Sequence, residues 1–212
     1  MEWRLLAGVS AEDVRRLVAV GQRRLYRRGQ VVFHDEDPAD ALHLVVDGHF
    51  AVRVTTPAGE SVLLAIIGPG DAFGELALIS DSSRGATVQA FSDGETLALH
   101  RDAFEALRRA RPQVDRSLAQ MLAERLRRVN DLLTEAHYVD ADVRVRRRLL
   151  ELGEAFEGTV PLTQEEIAQT AGTSRATVNR VLREEEAAGA VELGRGRTTI
   201  TDAAALEERA TR

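Results

Sequence analysis

The chain of 212 residues contains no cysteine. That excludes disulfides, thiolate nucleophiles, Cys-ligated zinc and Cys-held iron-sulfur clusters. Lysine is absent too: all 28 basic residues are arginine, a bias of coding composition more than of function. No run approaches the ~18 consecutive apolar residues of a membrane span, and MEWRLLAGVSAEDVRR has no basic start followed by an apolar core. The expectation is a soluble, cytoplasmic protein with no membrane partner. Low-complexity segments and solenoid repeats are also missing. The net charge of −6 argues against generalised affinity for nucleic acid, so any DNA binding needs a local basic surface.

What is present suggests two domains, since 44% of the residues are hydrophobic and the length suits one large core or two small ones. Ser10-Ala11-Glu12-Asp13 reads as a helix start with Asp in place of the usual capping-box Glu, followed by Val14, Leu17 and Val18 on one face and Gly21 as the stop. From Leu25 to about His100 the pattern changes to short runs such as VVF, LHLVV, FAVRV, VLLAII and TLALH, divided by Gly29, Gly48, Pro57-Ala58-Gly59, Pro69-Gly70-Asp71 and Asp93-Gly94. Many short strands between regular turn signals suggest a β-sandwich or barrel.

After Pro112 the period changes again. Ala119, Leu122, Leu126, Val129, Leu133 and Ala136 form a heptad seam, flanked by Leu118 and Leu132, with Arg125 interrupting that flank. Such a helix can pack on its own β-domain or form a parallel coiled coil with a second copy; a seam of roughly two and a half heptads favours the homodimer. Asp140 stands as N-cap of a further helix from Ala141 to Phe156, with Val145, Leu149, Leu152 and Phe156 on its apolar face.

The most specific pattern is LTQEEIAQTAGTSRATVNRVL. Thr163 and Glu166 form a capping box, Ile167 and Ala168 face inward, and Gly172 allows a left-handed turn. Thr173 or Ser174 caps the next helix, and Val178 and Val181 bury its inner face. That is a helix-turn-helix. Arg175, Ala176, Asn179 and Arg180 face outward with Arg183 a turn later, and Arg and Asn are the side chains that read guanine and adenine edges. Residues 139–212 hold 14 Asp/Glu against 11 Arg, yet no acidic residue lies between Thr173 and Arg183. The hairpin-like VELGRGRTTIT carries Arg195 and Arg197 at a wing-like tip suited to phosphates, or merely solvated. Arg144, Arg146, Arg147 and Arg148 are spread by a helix over several faces.

One stretch remains: FGELALISDSSRGATV, Phe73 to Val88, in which Glu75 precedes an apolar run and Arg84 follows it. Charges beside apolar runs are normally paired, exposed or engaged with a ligand. A β-roll, a dimerising helix and a winged helix-turn-helix together resemble the cyclic-AMP receptor and fumarate-nitrate regulator (Crp/Fnr) family of bacterial transcription regulators. Pro69-Gly70-Asp71, Gly74-Glu75-Leu76-Ala77-Leu78 and Arg84-Gly85-Ala86-Thr87-Val88 are similar to that family's phosphate-binding cassette.

The resemblance implies an α+β fold: a cyclic-nucleotide-binding jelly-roll over 1–112, a dimerisation helix over 113–138 and a winged helix-turn-helix over 139–212. It implies that Glu75 accepts the ribose 2′-OH and Arg84 pairs with the cyclic phosphate, with Gly74, Leu76, Gly85 and Ala86 completing the site. Gly85 lacks the hydroxyl associated with cyclic GMP, so cyclic AMP is the implied effector. The positions that would offer two hydroxyls to adenine are Val129 and Asn130, of which only Asn130 can hydrogen-bond.

For DNA the implied residues are Thr173, Ser174, Arg175, Ala176, Asn179, Arg180, Arg195 and Arg197, on a palindromic operator altered by Ala176 standing where relatives have Glu. RNA polymerase follows as a further partner. The competing expectations are an Arg84 to Glu75 ion pair in a ligand-free roll, and a regulator that needs no effector or takes another, such as cyclic di-GMP. Haem and iron-sulfur sensing lean on the missing cysteines. Catalysis is not expected: His34, His43, His49, His100 and His137 lack the His-x-His spacing of a roll-type metal centre, so no metal is expected either.

Overall fold

The computed structural model describes residues 2–59 and 61–211. It divides into two compact units, residues 1–126 and 127–212.

The first unit begins with a 3-10 turn, Arg4–Leu6, and helix α1, Ala11–Val20. Strands follow at Gln22–Tyr26 (β1), Val31–Phe33 (β2), Ala41–Asp47 (β3), Phe50–Thr55 (β4), Ser61–Ile67 (β5) and Ala72–Phe73 (β6). A short helix α2, Glu75–Ile79, precedes β7, Thr87–Ala90, and β8, Gly94–His100; α3, Arg101–Ala110, leads into α4, Gln113–Tyr138. The strands pair antiparallel into two four-stranded sheets, β1-β8-β3-β6 and β2-β7-β4-β5, which is the expected roll. Strand β3 shows how it is filled. Leu42 and Leu44 point to one face, against Phe104, Val114 and Leu118 of the helices; Val45 points to the other, with Phe50, Phe73 and Val88 in the roll interior. A strand covered on both faces reads as a continuous apolar run, and ALHLVV does.

Along α4, Val114, Ser117, Leu118 and Met121 are buried on the roll, which accounts for the Leu118 flank. Leu122 of the seam is partly buried against the roll's core, while the rest of the seam is uncovered in the single chain. Leu126, Val129 and Leu133 are 62%, 58% and 58% exposed.

The second unit holds the rest of α4 with α5, Ala141–Ala155; α6, Gln164–Ala171; α7, Arg175–Ala187; and α8, Ala203–Arg209. Strands β9, Thr159–Val160, β10, Val191–Gly194, and β11, Arg197–Ile200, form a sheet in the order β10-β11-β9. Val145, Leu149, Leu162, Ile167, Val178, Val181, Leu182 and Leu206 are fully or almost fully buried. Charge is buried as well: Glu185 receives Arg146 and Arg209, and Arg148 donates to Glu135 and Glu151, which receive Arg147 and Arg128 nearer the surface. Burying such groups is tolerable only because each is paired.

Two helix starts differ from the sequence reading. Ser10 accepts from the Asp13 N–H, but the Asp13 carboxylate takes the Ser10 hydroxyl and both prongs of Arg111 instead of closing a capping box. Asp140 does occupy the N-cap of α5, yet its side chain makes no capping bond, and that helix ends at Ala155 with Phe156 as its cap.

Candidate functional site

The cassette is built on a reversal. After β6 the chain turns at Gly74, whose φ of +83° is left-handed, and α2 starts at Glu75. A β-carbon at Gly74 would stand 2.6 Å from Arg84 Nη1, so both backbone and space call for glycine. Arg84 is only 3% exposed. It donates Nη1 to the Gly74 carbonyl at 2.8 Å and Nη2 to the Ala41 carbonyl at 2.6 Å, with Asp40 Oδ1 at 3.5 Å and the Phe33 ring 4.1 Å from its Cζ. Desolvation holds its pKa below the ordinary arginine value, opposed by Asp40, Asp37 and Glu75.

Glu75 is 1% exposed and makes no ion pair with Arg84. Its partner is Arg125 of α4, which binds Oε1 through Nη1 and the Ala72 carbonyl through Nη2 at 2.5 Å. The expected alternative, a closed Arg84 to Glu75 pair, is therefore not formed, and the arginine that seemed to interrupt an apolar flank is the counter-charge. Among the described residues, the two buried side-chain polar atoms without a partner are Glu75 Oε2 and Arg84 Nε. Leu76 and Gly85 are exposed and Ala86 half-buried beside them. The N–H groups of Gly85 and Ala86 lie outside the strand ladders and meet no acceptor among the described residues. Val129 and Asn130 lie on the exposed stretch of α4 that belongs to the second unit.

In that unit the turn chemistry is local and complete. Thr163 and Glu166 close a capping box, Gly172 adopts φ +59°, and Ser174, not Thr173, caps α7 by accepting from the Thr177 N–H. Arg175, Ala176, Asn179, Arg180 and Arg183 are exposed on one side, while Val178, Val181 and Leu182 are buried on the other. Strands β10 and β11 meet at Arg195-Gly196, and Arg195 and Arg197 are exposed and without an ion pair among the described residues.

The family model described as "Cyclic nucleotide-binding domain" matches residues 23–111, and the one described as "Crp-like helix-turn-helix domain" matches 143–209. The chain is 40% identical to the "Cyclic AMP receptor protein" of Thermus thermophilus over 96% of its own length and 95% of the relative's. This chain belongs to the Crp/Fnr family. The "CRP-like cAMP-activated global transcriptional regulator" of Mycobacterium tuberculosis is 33% identical over 97% and 96% of the two chains. Among solved structures, the Thermus thermophilus Catabolite Activator Protein is 39% identical and covers 98% of each chain with a TM-score of 0.57.

As a Crp/Fnr member the chain is a DNA-binding transcription regulator with a cyclic-nucleotide-binding domain, and not an enzyme. His43 is buried with Nδ1 3.0 Å from Thr96 Oγ1 and its ring stacked on Phe73. No group of three metal-ligating side chains occurs among the described residues. The basic run of α5 is turned to internal acceptors: Arg144 to the Ala171 and Gly172 carbonyls, Arg146 to Glu185, Arg147 and Arg148 to Glu135.

Proposed function

We propose that this regulator works as a cytoplasmic homodimer, switched by cyclic AMP in the roll, and binds a palindromic operator through two copies of α7. The observation that carries the effector site is the pair of orphaned atoms. Burial without a partner costs ~1–3 kcal/mol per group, more where charge is involved. A ligand that offers a hydroxyl to Glu75 Oε2 and an anion to Arg84 would remove both penalties. A ribose cyclic phosphate carries those two groups on one rigid ring system. In this reading Oε1 of Glu75 stays with Arg125, the phosphate takes Arg84 and the N–H groups of Gly85 and Ala86, and Gly74 and Leu76 shape the approach.

Asn130 would accept from the adenine amine, while Val129 offers none. The loss of one hydrogen bond lowers affinity by about fivefold, not to zero. Gly85, without a hydroxyl, gives guanine no help, and the relatives named above are named for cyclic AMP. Covering the exposed seam of α4 with a second copy would remove Leu126, Val129 and Leu133 from water. Residues 1–112, 113–138 and 139–212 would then act as sensor, dimerisation helix and DNA-binding domain. Ser174, Arg175, Asn179 and Arg180 would enter the major groove beside Thr173 and Ala176, with Arg195 and Arg197 on phosphates and RNA polymerase as the partner at the promoter.

The test is the melting temperature of the purified protein with millimolar cyclic AMP, cyclic GMP or AMP. A ligand at about 100 times its dissociation constant adds ~2.7 kcal/mol of stability, a shift of several degrees. Cyclic AMP alone is expected to give it, and Arg84→Leu to abolish it. No shift with any nucleotide would make the protein a dimer with another trigger or none.

A further inference from the structure

The exposed face of α7 contains one arginine that is already held. Arg180 donates Nη1 to Asp142 Oδ2 at 2.9 Å and Nη2 to Asp142 Oδ1 at 2.5 Å, a two-pronged contact to the first turn of α5. Nη1 also donates to Glu184 Oε1, one helical turn on, at 3.0 Å. Arg183 pairs only within its own helix, with Glu186, and Arg175 has no ion pair among the described residues. The pKa of Asp142 is lowered from the ordinary carboxylate value, first by its hydrogen bonds with Arg180.

A guanidinium has five N–H donors in a fixed plane. The fork to Asp142 occupies its end, and Glu184 takes the Nη1 proton beside the side-chain stem. The two protons left over, on Nε and on Nη2, share the remaining edge. Two parallel donors on one edge are what guanine O6 and N7 accept. Holding a flexible side chain in one orientation before binding removes the cost of ordering it at the moment of contact. The same arrangement has an electrostatic consequence. Two carboxylates outweigh one guanidinium, so Arg180 adds little to the sequence-independent attraction of phosphates.

We propose that Asp142 is a specificity-determining positioning residue, which orients Arg180 to present a single donor edge to one base pair of each half-site, with Glu184 cancelling its non-specific pull. The proposal rests on the reading of α7 as the DNA-recognition helix.

It is tested on the full-length protein, with and without cyclic AMP, against a duplex that the wild type selects from a randomised palindromic library. Affinities are measured by fluorescence anisotropy for that duplex, for each single-base-pair change in a half-site, and for an unrelated duplex over a range of salt. Arg180→Ala identifies the base pair that Arg180 reads. Asp142→Asn is expected to lose about tenfold of the discrimination at that same base pair. It is also expected to bind the unrelated duplex more tightly, with a salt dependence steeper by about one phosphate contact per subunit. Glu184→Gln, which leaves the fork intact, should tighten unrelated binding and leave discrimination unchanged.

Melting curves check folding, and Asp142→Ala carries the same expectation should the Asn variant fail to fold. Wild-type discrimination in the Asp142 variants, at a base pair that Arg180→Ala relaxes, would overturn the positioning role alone. If Arg180→Ala relaxes no base pair, the premise that Arg180 reads DNA fails with it.

Discussion

A histidine packed flat on Phe73, its Nδ1 against the Thr96 hydroxyl, has nothing to gain from a proton. Burial, then the charge of Arg84, pushes the His43 pKa down to about 3. An unfolded chain takes up that proton near the ordinary value of ~6.5. Between these values the unfolded state binds more protons, so stability rises with pH across the interval and is fully present above the upper end. The melting temperature is therefore expected to hold level above neutrality and to fall from about pH 6.5 towards 5. His43→Leu should flatten that decline while lowering the plateau, because Thr96 loses its partner; an unchanged slope would remove His43 as its source. That the histidine is structural was readable from its place in an apolar run. The partner of Glu75 was not. Arg125 lies 50 residues away in sequence, and its only local sign was a charge where the apolar flank should continue. An unexplained charge on an apolar face is a signal that names a need without naming the partner.

Elements whose instructions are local could be read closely. The cap at Thr163, the turn at Gly172 and the buried Val178 and Val181 all follow from residues within a few positions of one another. The α5 arginines could not be read so, because the carbonyls and carboxylates they meet come from α4, α6, α7 and the C-terminal end. Helix α4 lies between these cases. Its heptad spacing announced a seam and its Leu118 flank a second face, and the structure gives the flank and Leu122 to the roll while leaving the seam bare from Leu126 onward. A bare stripe of leucine and valine needs a partner helix, and burying each of these side chains is worth ~1.5–3 kcal/mol. Leu126→Glu places a charge in the centre of that stripe in both copies. Light scattering is expected to show a dimer for the wild type and a monomer for this variant, with the cyclic AMP stabilisation of the roll largely kept and palindrome binding lost. A variant that stays dimeric would place the interface elsewhere.

At the scale of the whole molecule, a protein of net charge −6 cannot rely on bulk attraction to DNA. In the reading proposed above its affinity comes from a few arginines on α7 and at the wing, two of which, Arg180 and Arg183, are partly neutralised by their own neighbours. Weak intrinsic binding would make control by a ligand effective, since a modest change in the population of a competent dimer would then decide occupancy. Cyclic AMP in the first unit can raise DNA affinity in the second only by binding the competent state more tightly than the incompetent one. Linkage makes the effect reciprocal: the operator must raise cyclic AMP affinity by the same factor. Couplings of this kind amount to ~5–150-fold. Calorimetric titration of cyclic AMP is expected to show that gain with the selected palindrome at saturation, and none with an unrelated duplex of equal length. Arg84→Leu should bind the palindrome as the unliganded wild type does and ignore the nucleotide. Equal cyclic AMP affinities with and without the palindrome would mean that the cassette and the recognition helices share a chain but no equilibrium.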